Sequence, residues 1–412
     1  VFLTAVTKLE DALNKGIVQV LSNSGWRPEM IGYGGIGNSK KVRLIGRALM
    51  APTFFEEKYE IWARRRGLPT LEDMRLRAAE RAPSGMGDLI RDAVGADSDD
   101  DSVTTATARG ERGWRQFIDA EIPFQPVLVQ IGSKKQVIYT DRGGYIDTTI
   151  EGHDLTPGWH TATIQALKAD EVARGLKRVH ASRPVFVPVR IVAREETHGL
   201  VSDVDDTVMI SLLPRPLVAM KNAFFTYVSS RQAVPGMSLF LSAIARKYAV
   251  SGVTNTSNTK STAATIYLST GAWNVAPSLR RFLTRGAFPT GTPLMTDWGL
   301  SQTGWFRSGP EHKRTQLRRL AKELPWVKWI LVGDDGQHDP QLYTEFAIEH
   351  PDNVAGIYIR TLTTAEQVLN HGIADPRIHL DPLIAQVPKS IPVIIGEDGF
   401  ELTRKALEAH LL

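Results

Sequence analysis

Asp203, Asp205 and Thr207 stand in a D-x-D-x-T spacing directly after an apolar run, in the segment LVSDVDDTV that covers residues 200–208. An extended strand alternates its side chains with period two, so Asp203 and Asp205 start on the same side. At the carboxyl end of a parallel strand, that side faces the crevice in which α/β sheets bind ligands. Two carboxylates held close together repel and resist full ionisation. A divalent cation, or a division of labour between nucleophile and acid, relieves this. The segment therefore reads as a site for metal-assisted phosphoryl transfer.

Further groups follow in order, each at the end of an expected element. Ser269 closes the strand in IYLSTGAWN, Lys313 lies near the start of a helix in EHKR, and Asp334 and Asp335 close a strand in ILVGDDGQHD. A phosphoryl group in transfer spreads charge over its equatorial oxygens, so catalysis is mostly positioning and neutralisation. Asp203 suits attack on phosphorus to form an aspartyl-phosphate. Asp205 suits protonation of the departing alcohol and then activation of water. Ser269 suits a hydrogen bond to a phosphoryl oxygen, with Thr207 and Thr270 as neighbouring hydroxyls for the same group. Lys313 offsets the negative charge around Asp203. Asp334, with Asp203 and the backbone carbonyl of Asp205, suits Mg2+, a hard ion that prefers oxygen ligands. Taken singly, each has a plainer reading: Ser269 as a strand-end cap, Lys313 as a solvated helix residue, Asp334 as a cap of the next helix. Their order along the chain favours the joint reading.

The elements that must position these groups divide near residue 195. After it, apolar runs alternate with helical stretches. Strands are expected at 198–204, 264–270, 327–333 and 354–360. Helices are expected after Pro235-Gly236 and at 274–286, 311–324, 340–350 and 401–412. Such alternation predicts parallel βαβ units and a doubly wound α/β domain over 196–412. Before residue 195 the pattern differs. Strands are expected at 42–50, 127–131, 137–140, 145–150, 159–167 and 184–193, separated by turn signals. This predicts a β-rich, sandwich-like domain over 1–195. Helical segments are expected at 4–22, 54–66 and 71–82. A mobile loop is expected at 84–113, and a flexible polar insertion at 251–262.

Other motifs lead nowhere. Gly32-Tyr33-Gly34-Gly35-Ile36-Gly37 fits G-x-G-x-x-G, but Arg27-Pro28-Glu29 precedes it and a basic strand-like run follows, so a glycine-rich turn is expected. The acidic run 97–101 lacks the Gly and Glu that a calcium loop needs. There is no H-E-x-x-H or G-x-S-x-G. With no cysteine, disulfides, thiolate zinc sites and cysteine nucleophiles are excluded.

The 412 residues are 42% apolar and 23% charged, ordinary for a globular protein, and no run reaches the length of a membrane span. The opening stretch carries Glu10 and Asp11 and no long apolar block, so a signal peptide is not expected, and the reading is cytoplasmic. The formal charge of +4 is mild, with basic clusters at Lys40, Lys41, Arg43 and Arg47 and at Arg64, Arg65 and Arg66. These read as a solvated surface or as an attraction to an anionic membrane or substrate. No module motif accompanies them, so nucleic acid is not an expected partner.

The stretches SDVDDTV, VPGM, IYLSTGAWN, FPTGTPLMTDWGL, HKRTQL, ILVGDDGQHDPQLY and GIYIR together resemble the catalytic domain of the actin-patch-associated, magnesium-dependent phosphatidate phosphatase family, within the haloacid dehalogenase superfamily. The resemblance covers residues 198–361. It implies Asp203 as nucleophile, Asp205 as acid and base, Ser269 and Lys313 as phosphate contacts and Asp334 as a ligand of Mg2+. Asp339 is either a group behind the ligands or an N-cap before Pro340. The sequence departs from the family at Thr270-Gly271-Ala272-Trp273 and at Asp335, which bears on substrate contacts more than on phosphoryl chemistry. The N-terminal half resembles the β-rich region that precedes this domain in bacterial relatives. The implied substrate is phosphatidate, met at a membrane surface, with Trp298, Trp305 and Phe306 as aromatics that either pack inside or touch lipid. A soluble phosphomonoester or phosphoprotein is the alternative substrate, and a non-catalytic membrane-binding protein is the alternative of another class.

Overall fold

The computed structural model describes residue 18 and residues 26–51, 121–168, 182–210, 232–250, 262–296, 309–336, 338–363, 366 and 377–412. The expected helices at 54–66 and 71–82, the loop at 84–113, nearly all of the insertion at 251–262, Arg64–Arg66, and Trp298, Trp305 and Phe306 lie outside these residues. Of the expected helix at 4–22, only Val18 is described, helical and buried.

Seven strands form the N-terminal sheet: β1 (Arg27–Asn38), β2 (Lys41–Ala51), β3 (Pro126–Ile131), β4 (Lys134–Tyr139), β5 (Tyr145–Glu151), β6 (Gly158–Ala166) and β7 (Val185–Val192), in the order β4-β3-β6-β7-β1-β2-β5. Neighbours are antiparallel except β1 and β7, which run parallel. The sandwich expectation is corrected, because the strands make one continuous sheet. That sheet curls until the β3–β4 turn meets the chain leaving β5. A Cβ on Gly132 would lie 1.8 Å from the carbonyl oxygen of His153, and Ser133 donates to the Asp154 carboxylate. The concave face encloses Val42, Leu44, Met50, Val127, Ile146, Ile164 and Val187.

The expected turn at Gly32–Gly37 is instead the body of β1. The glycines serve close approach rather than reversal. A Cβ on Gly37 would meet the Lys41 carbonyl at 2.2 Å, and one on Gly35 the Arg43 carbonyl at 2.7 Å. Gly34, at φ 151°, takes up the register shift of a bulge between Gly32 and Gly34.

The second sheet contains β8 (His198–Ser202), β9 (Ala264–Ala272), β10 (Thr292–Thr296), β11 (Lys328–Asp334), β12 (Val354–Arg360) and β13 (Val393–Gly396), all parallel, in the order β10-β9-β8-β11-β12-β13. Counted within the sheet this is 3-2-1-4-5-6, the doubly wound order, whose switch point lies between β8 and β11. The central strands are apolar on both faces, as burial under helices requires: Leu200 and Val201 on β8, and Trp329, Ile330, Leu331 and Val332 on β11, are all buried. The helices are α1 (Met237–Lys247), α2 (Ala276–Arg285), α3 (Gly309–Glu323), α4 (Asp339–Glu349), α5 (Arg377–Ile384) and α6 (Gly399–Glu408). α1 packs on α6, α3 on α4, and α4 on α5. Strands β10 and β13 and helix α5 go beyond the sequence reading.

The two sheets are not separate bodies on a loose tether. Along β2, Val42, Leu44, Ala48 and Met50 enter the first core, whereas Ile45, on the opposite face, belongs to the second. Tyr33, Ile36, Tyr145 and Val192 join Ile45 in the buried cluster of the parallel sheet. The link from β7 to β8 is pinned by a buried ion pair, Arg190 Nη2 to Glu196 Oε2 at 2.5 Å, while Glu196 Oε1 accepts from the Ala193 amide at 2.8 Å. Arg43 and Arg47 also sit on the shared face. They are neither a solvated surface nor a membrane patch: Arg43 is held by Asp147 at 2.7 Å and Gln316 at 2.6 Å, and Arg47 pairs with Glu121 and covers the Tyr145 ring. Lys40 does remain exposed.

Candidate active site

The switch point brings the ends of β8 and β11 side by side, tied by the Asp203 amide to the Val332 carbonyl at 2.8 Å. Past this point the chain turns sharply. Val208 and Met209 both donate back to the Val204 carbonyl, and Asp206 adopts φ 61°. The turn aims Asp203 inward, where it is 1% exposed, and leaves Asp205 partly open.

Lys313, on the first turns of α3, is itself buried at 2% exposure. Its Nζ donates to Asp203 Oδ1 at 2.7 Å and to Asp339 Oδ1 at 2.5 Å. Asp334, at the end of β11, is fully buried, its Oδ2 accepting from Thr207 Oγ1 at 3.3 Å and its Oδ1 from the Gly336 amide at 2.7 Å. Ser269, inside β9 three residues before its end at Ala272, donates to Asp205 Oδ2 at 3.3 Å and accepts from the Gly271 amide at 2.9 Å. Thr270 lies against the start of α3, since a Cβ on Gly309 would be 2.8 Å from its Cγ2. Of the groups chosen from the sequence, Asp203, Asp205, Thr207, Ser269, Lys313 and Asp334 therefore converge, while Thr270 is placed only against the start of α3.

Asp339 is the residue that sequence reasoning left undecided. It is the first residue of α4, whose N-cap position is His338, and no side chain caps this helix. Its carboxylate turns back to Lys313 instead. Glycine at 333 makes this possible, because a Cβ there would lie 2.6 Å from Asp339 Oδ2. Asp335 faces the other way and accepts from the Leu362 amide at 2.8 Å. Burial pushes its pKa up to about 6 against the pull of that N–H and of Arg360.

The electrostatics are unbalanced. Oxygens of Asp203, Asp334 and Asp339 all lie within 4.8 Å of one another, three buried carboxylates around one buried ammonium. Burial raises the Asp203 pKa, Lys313 pulls it down, and Asp339 and Asp205 push it up again, leaving it raised. Asp334 is raised by burial and then by Asp339, Asp203 and Asp206. Burial works against the charge on Lys313, but Asp203 and Asp339 outweigh it and hold the ammonium protonated. Asp203 Oδ2 and Asp339 Oδ2 are buried with no hydrogen-bond partner among the described residues. Such oxygens and surplus negative charge fit a hard divalent cation.

Arg360, the last residue of β12, frames the turn from behind. Its Nη1 donates to the Asp206 carbonyl at 2.7 Å, and its Nη2 is 2.9 Å from both oxygens of the Glu366 carboxylate. The GIYIR stretch showed a strand; nothing local to it showed that its arginine reaches the turn at Asp206.

Residues 198–361 match the family described as phosphatidate phosphatase APP1, catalytic domain, the same span over which the motifs resemble that family. Phosphatidate phosphatase APP1 of Saccharomyces cerevisiae is 24% identical over 163 residues, covering 39% of this chain and 25% of that protein. An uncharacterized protein of Schizosaccharomyces pombe is 30% identical over 96 residues, 23% of this chain and 16% of its own length. The chain thus spans a quarter or less of these relatives. No solved structure matches it significantly.

Proposed function

We propose that this chain, with its match to a phosphatidate phosphatase catalytic domain, is a Mg2+-dependent phosphatase of the haloacid dehalogenase type. In this reading residues 196–412 form the catalytic domain and the enzyme releases phosphate from phosphatidate to leave diacylglycerol. The observation that carries the reading is Lys313 bridging Asp203 and Asp339 beside Asp334, buried at the switch point of a parallel sheet.

Asp203 attacks phosphorus through its carboxylate, forming a P–O bond while the bond to the alcohol oxygen breaks. Asp205, partly open, gives its proton to the departing alcohol. It then takes one from the water that attacks the aspartyl-phosphate, which frees inorganic phosphate and restores both carboxyl groups. Ser269, with Thr207 and Thr270 nearby, donates to phosphoryl oxygens. Lys313 pulls the Asp203 carboxyl toward its ionised form, partly offsetting the push of burial. Asp203, Asp334 and the backbone carbonyl of Asp205 would hold the magnesium ion, with Asp339 within reach. When bound, the ion supplies positive charge to the phosphoryl oxygens and to the carboxylate cluster.

No helix among the described residues is long and apolar enough to cross a membrane. A cytoplasmic enzyme that meets its lipid at the bilayer surface is part of the same proposal. Phosphate release is to be measured on phosphatidate vesicles and on a soluble phosphomonoester, with Mg2+ and with EDTA. Wild-type turnover on vesicles that EDTA abolishes, and that Asp203→Asn lowers by about a thousandfold or more, is the expected result. Undiminished turnover in Asp203→Asn rejects the mechanism. Turnover of the soluble ester alone moves the substrate to that class.

A further inference from the structure

We infer that the N-terminal sheet is a positioning part of the catalytic unit: Tyr33 fixes the end of β9, which carries Ser269, and Arg43 fixes the helix that carries Lys313. The inference rests on the phosphatase reading.

Two independent grips support it. Ser269 is followed by Thr270, Gly271 and Ala272, and then by Trp273 in a short 3-10 turn. The Trp273 ring stacks on Tyr33 of β1, with centroids 4.6 Å apart and planes at 24°. Tyr33 is 1% exposed, and its carbonyl accepts from Arg280 Nη2 at 2.6 Å, so α2 is tied to the same point. Thr292 on β10 donates to the Gly35 carbonyl at 3.3 Å, and Thr296 on β10 donates to the Thr270 carbonyl at 2.8 Å. The end of β9 is therefore clamped between its own sheet and β1. The second grip is on α3. Gln316 lies one turn beyond Lys313 and accepts from Arg43 Nη1 at 2.6 Å. Asp147 on β5 holds Arg43 and reaches Arg319 at 3.6 Å, and Asn38 donates to the Glu323 carbonyl at the far end of the helix at 3.1 Å. Tyr33 meets Trp273 and Arg280, and Arg43 meets Asp147 and Gln316. They act by setting where Ser269 and Lys313 stand relative to Asp203.

The test uses the full chain and the variants Tyr33→Ala, Tyr33→Phe and Arg43→Met. It measures hydrolysis of p-nitrophenyl phosphate, inhibition by inorganic phosphate, and amide hydrogen exchange over 269–275 and 309–316. Tyr33→Ala is expected to raise KM and the phosphate inhibition constant together by about tenfold, with a smaller fall in kcat and faster exchange over 269–275. Tyr33→Phe keeps the ring and is expected to restore all three. Arg43→Met is expected to lower kcat by about tenfold and to speed exchange over 309–316. A purely structural role would lower the melting temperature and leave KM, inhibition and local exchange at wild-type values in the folded variant; that result overturns the inference. If Tyr33→Ala does not fold, Tyr33→Leu, which fills space without stacking, carries the same comparison. If the wild type has no phosphatase activity, the proposed function fails first, and exchange over 269–275 then decides the coupling alone, with unchanged exchange overturning it.

Discussion

Replacing Lys313 by methionine tests the buried charge cluster most directly. The wild-type cluster places one ammonium against the carboxylates of Asp203 and Asp339, at 2.7 and 2.5 Å, with Asp334 alongside. At an effective dielectric near 20, each contact represents about 6 kcal/mol of gross attraction, most of it cancelled by the cost of burying the charges. Methionine fills similar volume and removes the cation alone. Leaving buried carboxylates without their partner costs about 3–5 kcal/mol. Part of that cost is expected to be avoided by protonation of Asp203 and Asp334, both of which already lean that way. Urea unfolding of Lys313→Met in EDTA should therefore show a loss of about 3 kcal/mol at neutral pH, shrinking as the pH is lowered. The sign follows from the raised carboxyl pKa values. The folded state binds protons that the unfolded state has lost, so stability falls as pH rises through the folded values. Added Mg2+ should recover more stability in the variant than in the wild type, since it meets more uncompensated charge. With Mg2+ present, phosphate release should fall by at least about a hundredfold. A variant as stable as the wild type in EDTA, with no pH dependence of its own, would refute the argument that these groups are electrostatically joined.

Three smaller perturbations probe the frame. Gly333→Ala places a methyl 2.6 Å from Asp339 Oδ2 and 2.8 Å from Tyr343 Cε2, so Asp339 must leave Lys313; turnover should drop by about tenfold or more while circular dichroism stays native. Arg360→Met removes the donor to the Asp206 carbonyl and strands buried Glu366; thermal unfolding should report a loss of about 3 kcal/mol, and Arg360→Lys, without a planar fork, should restore only part of it. His198 is pulled below its usual pKa by burial and then by Lys328 and Lys247. Its unfolded state therefore binds the proton more readily, and stability rises with pH up to the unfolded value of 6.5; His198→Gln should flatten that rise in melting temperature.

What the sequence disclosed, and what it hid, follows from the range of each interaction. Asp203 and Asp334 were legible because each ends a continuous apolar run, the mark of a strand buried on both faces. Ser269 and Lys313 were legible because they recur at element ends in the order that a doubly wound sheet requires. Asp339 was not, since a carboxylate before Pro340 looks locally like a helix cap, and only the space left by Gly333 shows which way it turns. The glycines of β1 signal a turn by type, yet here they let β1 approach the backbone of β2. Arg43 and Arg47 looked solvated because Val42 and Leu44 advertise one buried face. Ile45 on the arginine face was the hint that the other face is buried too. Strand β13 has only four residues, and nothing nearby distinguishes it from a loop.

The shared core around Tyr33, Ile36, Ile45, Tyr145 and Val192 bears on how this protein should be handled. The match to the catalytic-domain family starts at residue 198, and a gene fragment trimmed to that point would look complete on paper. Such a fragment would open a dry, aromatic-lined face to water at Trp273 and leave Gln316 without its guanidinium. Poor solubility or weak turnover from it would report on where the scissors fell, and would say nothing against the chemistry of the carboxylates.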